Sequence, residues 1–590
     1  MRVKTFPSFF LLASLALAGA LIFNVLIHIR VASLDKLATV EWILSILCFV
    51  IGILWWRKED LPTAGKSIDF LFANKKQVVT LLGLFSVGLF VRLAFLMQHP
   101  YPWTGDEAEI GLEGIQLLTG EKTYLFGVGW SGQPNVSFLP AMFSMMLFGR
   151  TMFAIKLVSV LVGAFSIPAL YLLAREWFDS KVALLASLFL IAYPVHLQFS
   201  RIGVGNIFDS LMAPLTLWLI FRASRTGGVV SYLLAGLLTG ASFYLYVGTR
   251  LVLAFAIGTW MYIAITRDGF LRANARQLAI YFGALLVTIN PIAVFFIKYP
   301  KLFMTRIGQE GIFLNGWLEM YMAQSGLTVW QVLRNQFVQT VQVFFYGGTA
   351  ANFLNFDRPY LTILGSLLFL IGYGYSLLHL LDRRHFILQT WFWSVLILGG
   401  VLTINPPANT RLVMVTPATG LFIALGIWQV SVVLTHLHVQ QTWIPAIRGF
   451  LIIALAVQNL LFYFVHYYQG RFFADASGEI GMETGLELQR LGPKYDYILF
   501  GDPLVYADIP TTVFLAPENK KVNLTTNTLS EFYIEPGHGA FVAAIPENEF
   551  LLKQVASKYP GGEYKVVYFK MKPDVLYYAY ILPPPGSNVP

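Results

Sequence analysis

Residues 77–120 read QVVTLLGLFSVGLFVRLAFLMQHPYPWTGDEAEIGLEGIQLLTG. The first half is an apolar run about as long as a hydrocarbon layer is thick. Four carboxylates follow almost at once: Asp106, Glu107, Glu109 and Glu113. Acids gathered at the end of such a run make physical sense if the run crosses a bilayer and the acids sit at its lip. Working outward, the whole chain supports that reading. Of its 590 residues, 56% are hydrophobic and only 12% are charged. Soluble domains carry about 25% charged residues, so there are too few charges here to coat a globular surface. The fold class that follows is mainly α: a polytopic transmembrane helical bundle.

Apolar runs predict about 13 spans, near 8–28, 38–56, 77–97, 153–174, 182–199, 206–222, 230–247, 250–266, 278–297, 360–381, 386–403, 411–434 and 448–468. The run after Met1, Arg2 and Lys4 lacks a small-x-small cleavage site and reads as the first span. The formal charge of +9 falls mostly in short loops between runs. One alternate set of loops holds Arg57, Lys58, Lys66, Lys75, Lys76, Arg175, Lys181, Arg222, Arg225, Arg267, Arg272, Arg276, Arg383 and Arg384; the other is nearly bare of positives. The basic set is therefore expected in the cytoplasm, together with the N-terminus. No basic stripe interleaved with exposed aromatics stands out, which argues against a nucleic-acid partner. The single cysteine, Cys48, permits no intrachain disulfide and no cysteine-based metal site.

This threading divides the chain into a two-span extension (1–76), a membrane region (77–468) with outer loops 98–152 and 298–359, and a C-terminal segment (469–590). The last segment is different material. YDYILF, GAFVAAIP, YKVVYFK and VLYYAYIL are short β-type runs parted by Gly, Pro and Asn. It is expected to form an extracytoplasmic mixed α/β domain. The 298–359 loop contains LTVWQVLRNQFVQTVQVFF, an amphipathic helix by its pattern.

In the opening stretch, Pro102 and Gly105 break the span, and Ile110, Leu112, Ile115, Leu117 and Leu118 mark a helix along the membrane surface. Asp106 with Glu109 three residues later fits a capping box. Carboxylates in a first turn also suit the helix dipole. Glu107 and Glu113 are not needed for that cap. Crowded carboxylates raise one another's pKa, a cost commonly tolerated at working sites. A carboxylate at a membrane lip can also remove a proton from an acceptor hydroxyl while the other substrate stays anchored in lipid.

Beyond the Asp-Glu-Ala of residues 106–108 come GVGWSGQPNVSFLPAMFSMMLFG, FAIKLVSVLVGAFSIPALYLLAREWFDSKVALLASLFLIAYPVHLQFSRIG and, late in the chain, NTRLVMVTPATGLFIALGIW. In this order they resemble the GT-C membrane glycosyltransferases, in the protein O-mannosyltransferase and aminoarabinose-transferase branch, over roughly residues 77–435. The resemblance implies a polyprenyl-phosphate-sugar donor, an acceptor hydroxyl and membrane lipids as partners. It implies Asp106 as catalytic base with Glu107 completing the pair, and Asp209 as a second acidic site residue, although a helix cap accounts for Asp209 equally well. Two departures stand out: two extra spans precede the Asp-Glu loop, and Gln133-Pro134-Asn135 stands where many relatives carry Pro-Pro.

Arg411, at the mouth of a late span, and Arg201, just before Asp209, are candidates for the donor phosphate, because guanidinium forks match phosphate oxygens. Interfacial snorkelling is the plainer alternative for both. His196, beside Pro194, reads as structural or interfacial, and Tyr246 and Arg250, at an outer helical turn, are weaker candidates. A divalent metal ion is possible, with Glu113 as a weak candidate ligand, but no constellation demands one. The expected function is sugar transfer from a polyprenyl-phosphate donor to a hydroxyl, outside the cytoplasm. The alternatives are a transporter or flippase of a lipid-linked substrate, which predicts midplane charges and an inverted repeat, and a non-catalytic envelope scaffold.

Overall fold

A computed structural model describes residues 5–27, 32–56, 75–351, 353–356, 358–468, 476–570 and 572–585. Arg2, Lys4, Arg57, Lys58 and Lys66, which helped set the orientation, lie outside the described residues. All thirteen stretches read as spans contain helix. Among the described residues, nine helices are long and apolar enough to cross a membrane, and four shorter apolar helices accompany them.

Two stretches depart from a plain span for identifiable reasons. The run 182–199 breaks into Ser180–Ala192 and Pro194–Phe199, because Pro194 has no N–H to continue the ladder. The run 386–403 is the helix Arg383–Leu396 followed by a π-helical turn, Ile397–Val401. One short apolar helix, Leu139–Phe148, lies in the 98–152 segment and was not anticipated.

Helices in a bilayer gain little from burying apolar surface against one another, so they associate through close packing and polar contacts. The pair Ile363–Leu378 and Thr416–His436 crosses backbone to backbone at Gly372 and Gly426. A side chain at either would run into the partner's carbonyl, of Phe422 or of Leu368. The N-terminal hairpin uses polar contacts instead. Ser14 and Ser45 donate to each other's carbonyls at 2.9 and 3.1 Å. Trp42 Nε1 donates to the Thr288 carbonyl at 2.9 Å and Asn290 Nδ2 to that of Ala18 at 3.0 Å, which fastens the hairpin to helix Ala275–Lys298.

After the last span, residues 476–585 fold as three layers. The mixed sheet runs in the order Lys521–Asn523, Tyr495–Phe500, Gly539–Ala544, Val575–Leu582, Glu563–Tyr568. The first three strands are parallel to one another and the last two add antiparallel. Helix Ala476–Leu491 covers one face through Ile480 and Leu488, and helix Glu549–Lys558 covers the other through Leu551, Leu552 and Val555. Because both faces are covered, Gly539–Ala544 is buried throughout and shows no alternation. All four β-type runs in the sequence are strands, and Lys521–Asn523 adds a fifth that is too short to recognise from pattern.

Candidate active site

The Asp106 helix, Gly105–Thr119, begins with a capping box, two residues earlier than its sequence suggested. Thr104, not Asp106, is the N-cap, and Glu107, not Glu109, reaches back to the Thr104 N–H at 3.0 Å. The other Glu107 oxygen accepts the Gly203 N–H at 2.7 Å. Glu107 is thus a buried fastening between helix and loop. Asp106, one residue earlier, takes no part in the cap. Among the described residues no hydrogen bond or ion pair holds its carboxylate.

The chain leading into this helix is pinned from below. Arg201 is fully buried. Its Nη1 donates to the carbonyls of Arg92 and Val91 at 2.6 and 3.1 Å, and its Nη2 to that of His99 at 2.7 Å. Lys156 Nζ adds a bond to the Pro100 carbonyl at 3.2 Å. The guanidinium proposed as a phosphate clamp is therefore spent on the backbone that delivers Asp106. His196 lies deeper still, between Arg92 Nη2 and Ser166 Oγ, each at 2.8 Å.

Glu113, two turns along the helix, accepts the Trp130 N–H at 2.7 Å through one oxygen and pairs with Lys122 through the other. With both oxygens engaged, one of them by an ammonium, it does not fit a dication. Its evident effect is to tie the Gly-Gln-Pro turn to the helix and bring Gln133 beside Asp106. Arg250 helps from the other side: its Nη1 donates to the Phe303 carbonyl at 3.2 Å and its Nη2 to that of Gly132 at 3.4 Å.

Asp106 opens into a cleft lined also by Gln133, Asn206, Tyr246, Arg306 and Thr410. Asn206 Nδ2 bonds Tyr246 Oη at 2.8 Å and the Thr410 carbonyl at 2.7 Å, joining three distant segments. Burial raises the Asp106 carboxyl to a pKa of about 6, with the Arg306 charge pulling it down and Glu107 pushing it up. Burial also raises Glu109, with Glu113 and Asp106 adding to the effect. Asp209 lies outside the cleft lining. It is buried at the start of helix Phe208–Thr226, with its carboxylate against the Gly248 backbone and Oδ1 without a partner.

Beside the cleft stands a second charged group. Glu310 is held by two arginines: Arg306, four residues back at 3.0 Å, and Arg411. Arg411 Nη1 also donates to the Ile404 carbonyl at 3.0 Å, and its Nε has no partner. The Arg306–Glu310–Arg411 triad carries a net positive charge close to Asp106. Of the candidates read from sequence, Asp106 and Tyr246 share the cleft and Arg411 is joined to it through Glu310 and Arg306; Arg201, Glu107 and Glu113 fasten the surrounding chain, and Asp209 lies outside the lining. Arg306 and Glu310 were missed, although their spacing of four in KLFMTRIGQE, inside a segment already assigned to the same side as Asp106, is a usable signal.

One other cluster contains metal-ligand types. Donor atoms of Asp496, Glu535 and His538 in the C-terminal unit lie within 4.8 Å of one another. His538 Nδ1 bonds Asp496 at 2.8 Å, the Glu535 N–H bonds the second Asp496 oxygen at 3.1 Å, and Lys520 holds Glu535 at 2.7 Å. That arrangement pins a loop and already has its cation.

The helical bundle with its terminal α/β unit is a GT-C fold. ArnT from Cupriavidus metallidurans in the apo state is similar with a TM-score of 0.50 at 13% identity, covering 86% of this chain and 98% of that one. ArnT bound to undecaprenyl phosphate gives 0.47 at 13% identity, covering 85% and 97%. The oligosaccharyltransferase AglB from Archaeoglobus fulgidus, in complex with an inhibitory peptide and a dolichol-phosphate, gives 0.45 at 14% identity, covering 85% and 74%. Residues 133–294 match the family described as dolichyl-phosphate-mannose-protein mannosyltransferase. That stretch includes Gln133, Asn206 and Tyr246 and ends before Arg306 and Arg411. No curated protein matches the sequence.

Proposed function

We propose that this protein is a glycosyltransferase that moves a sugar from a polyprenyl-phosphate-linked donor to a hydroxyl acceptor, on the extracytoplasmic side of the membrane, with Asp106 as general base. The observation that carries the reading is the unpartnered Asp106 carboxylate, raised to a pKa of about 6, in a cleft beside the Arg306–Glu310–Arg411 triad. A base of that pKa is ionised at neutral pH yet holds a proton well enough to take one from a polarised hydroxyl. In the step proposed, Asp106 accepts the hydroxyl proton as the oxygen bonds the anomeric carbon. The bond from that carbon to the phosphate oxygen breaks, and the lipid phosphate leaves with the electron pair.

Arg306 lines the cleft and would meet that growing charge, while Arg411 shares Glu310 and so keeps the Arg306 charge from being cancelled; fixed charge aimed at developing charge is a large source of catalysis. The fold and the name of the matched family support a lipid-phosphate donor. The distribution of basic loops supports the assigned face. Metal chemistry enters no step, since the candidate ligand Glu113 is already engaged.

The test begins with cells lacking the protein, in which the lipid-linked sugar that accumulates is identified by mass analysis. Purified protein in lipid nanodiscs is then supplied with that donor. Asp106→Asn is expected to lower transfer by about 10²–10⁴-fold, the usual worth of a positioned base, with donor binding retained. Transfer at the wild-type rate would retire Asp106 as the base.

A further inference from the structure

Next to the Asp106 cleft is a much larger cavity, about 690 Å³, and the two share Thr410 in their walls. A volume of that order is ordinary for a small-ligand site, about 300–1,000 Å³, and exceeds one sugar ring severalfold. Its lining has an uncommon chemistry. The only charged side chains in it are Glu310 and Arg411, which neutralise each other. The rest of the polar surface is largely carboxamide. Helix Val329–Gln342 contributes Asn335 and Gln339, four residues apart on one face, and the segment before Arg411 contributes Asn405.

The opposite character comes from helix Trp317–Ser325. Trp317 and Tyr321, also four apart, both line the cavity with their rings stacked at 4.7 Å and 11°. Each ring in such a pair still has one face unused by the other. The electron-rich face of an aromatic ring receives the weakly positive C–H face of a pyranose. Carboxamides offer a donor and an acceptor on the same group, which matches a hydroxyl's need for both.

We infer that this cavity is a subsite for a neutral glycan of more than one sugar unit, seated on Trp317 and Tyr321 and hydrogen-bonded by Asn335, Gln339 and Asn405. The inference rests on the reading of Asp106 as a glycosyl-transfer base and extends it to substrate class. A lipid tail is excluded by the amide lining, and a polyanionic glycan by a wall whose one cation, Arg411, is matched by Glu310. An extended peptide usually docks along a free strand edge or into side-chain pockets, and the cavity lining contains no strand. The glycan reaches the site either as the acceptor or as the sugar portion of the lipid-linked donor; the ring-face and hydroxyl recognition is the same in both.

The experiment uses the full chain in nanodiscs, in the Asp106→Asn form so that nothing turns over. Free mannotriose, cellotriose and chitotriose are the probes, with a neutral Ser/Thr decapeptide as rival, read by saturation-transfer NMR and tryptophan fluorescence. At least one trisaccharide is expected to bind in the high-micromolar to millimolar range. Trp317→Ala, and separately the double variant Asn335→Leu/Gln339→Leu, should weaken it at least tenfold at an unchanged melting temperature. Two routes are used so that a disturbed helix in one variant leaves the other to decide.

Absence of trisaccharide binding, binding unaffected in both variants, or preferential binding of the decapeptide would each overturn the inference. The source is then assigned in wild-type protein: the bound trisaccharide inhibits transfer competitively against the acceptor in one case and against the lipid donor in the other. Because binding is read without turnover, glycan binding in a protein that transfers nothing would sink the enzymatic reading and leave the subsite standing.

Discussion

Replacing Asp106 by Asn should make the protein more stable at neutral pH while removing its activity, and both effects should follow one titration. Burial lifts the carboxyl from 3.8 to about 6. The folded protein therefore keeps that proton to higher pH than the unfolded chain does. Between these values it binds more protons than the unfolded chain, so stability falls as pH rises, and the whole cost is present above about 6. Two pKa units correspond to roughly 3 kcal/mol at full effect. The side chain is partly open to water and lies near Arg306, so screening reduces the cost to about 1 kcal/mol. Asn carries no charge and escapes it. In nanodiscs melted at a fixed scan rate, Asp106→Asn should match wild type near pH 4 and melt about 1–2 °C higher at pH 8. Wild-type transfer should rise through about pH 6 to a plateau as the carboxyl ionises. A melting difference independent of pH, or a transfer rate flat between pH 5 and 7, would refute the assignment.

Thr104→Ala removes the cap that fixes the first turn of the Asp106 helix. It should cost about 1 kcal/mol of stability and lower kcat more than it raises KM, read by melting and steady-state kinetics. Gly111 lies beneath the Phe514 ring with no room for a side chain; Gly111→Ala should lower melting and activity, and adding Phe514→Ala should restore part of both, a coupling measurable in a double-mutant cycle. Arg411→Ala leaves Glu310 to cancel the Arg306 charge at the cleft; it should raise the donor KM by about tenfold, and the loss should shrink as salt is raised. Arg201→Lys cannot reproduce the forked set of bonds to three carbonyls; it should reduce the yield of folded protein while the surviving fraction keeps the wild-type donor KM. A donor KM raised by Arg201→Lys would return that residue to the phosphate site.

What the sequence made legible was what repeats: apolar runs long enough for a bilayer, basic loops on alternate turns, and β-type runs in the last stretch. The apolar and β-type runs are local patterns with a local cause, and each of them corresponds to an element of the structure. Of the proposed site, Asp106 and Arg411 stand out in the sequence because chemistry and local pattern coincide there. Arg201 shows where the reading stops. A cation near a span end looks the same whether it faces lipid phosphate or a set of backbone carbonyls, and only the folded chain reveals that the carbonyls of Val91, Arg92 and His99 converge on it. The capping box shows a second limit. Thr104–Glu107 and Asp106–Glu109 both satisfy the pattern, and the choice turned on Gly203, nearly a hundred positions away, whose N–H takes the second Glu107 oxygen.

The same fastening explains how a carboxylate comes to stand free in so crowded a place. The helix that carries Asp106 is gripped on its remaining sides: by Glu107 to the Gly203 loop, by Glu113 to the Trp130 turn, and by Phe514 of the C-terminal unit against Gly111. That unit is anchored in turn. Arg150 donates to the carbonyls of Phe514 and Val513 at 2.7 and 2.9 Å, and Tyr101 Oη donates to Glu483 at 2.7 Å just before the helix begins. None of these contacts uses the Asp106 side chain. A base held by its own hydrogen bonds would be more stable and less reactive. Here the backbone takes up the positioning and the carboxylate is left with burial, Arg306 and whatever enters the cleft. On this account the C-terminal unit contributes rigidity to the site without lending it a single reacting group.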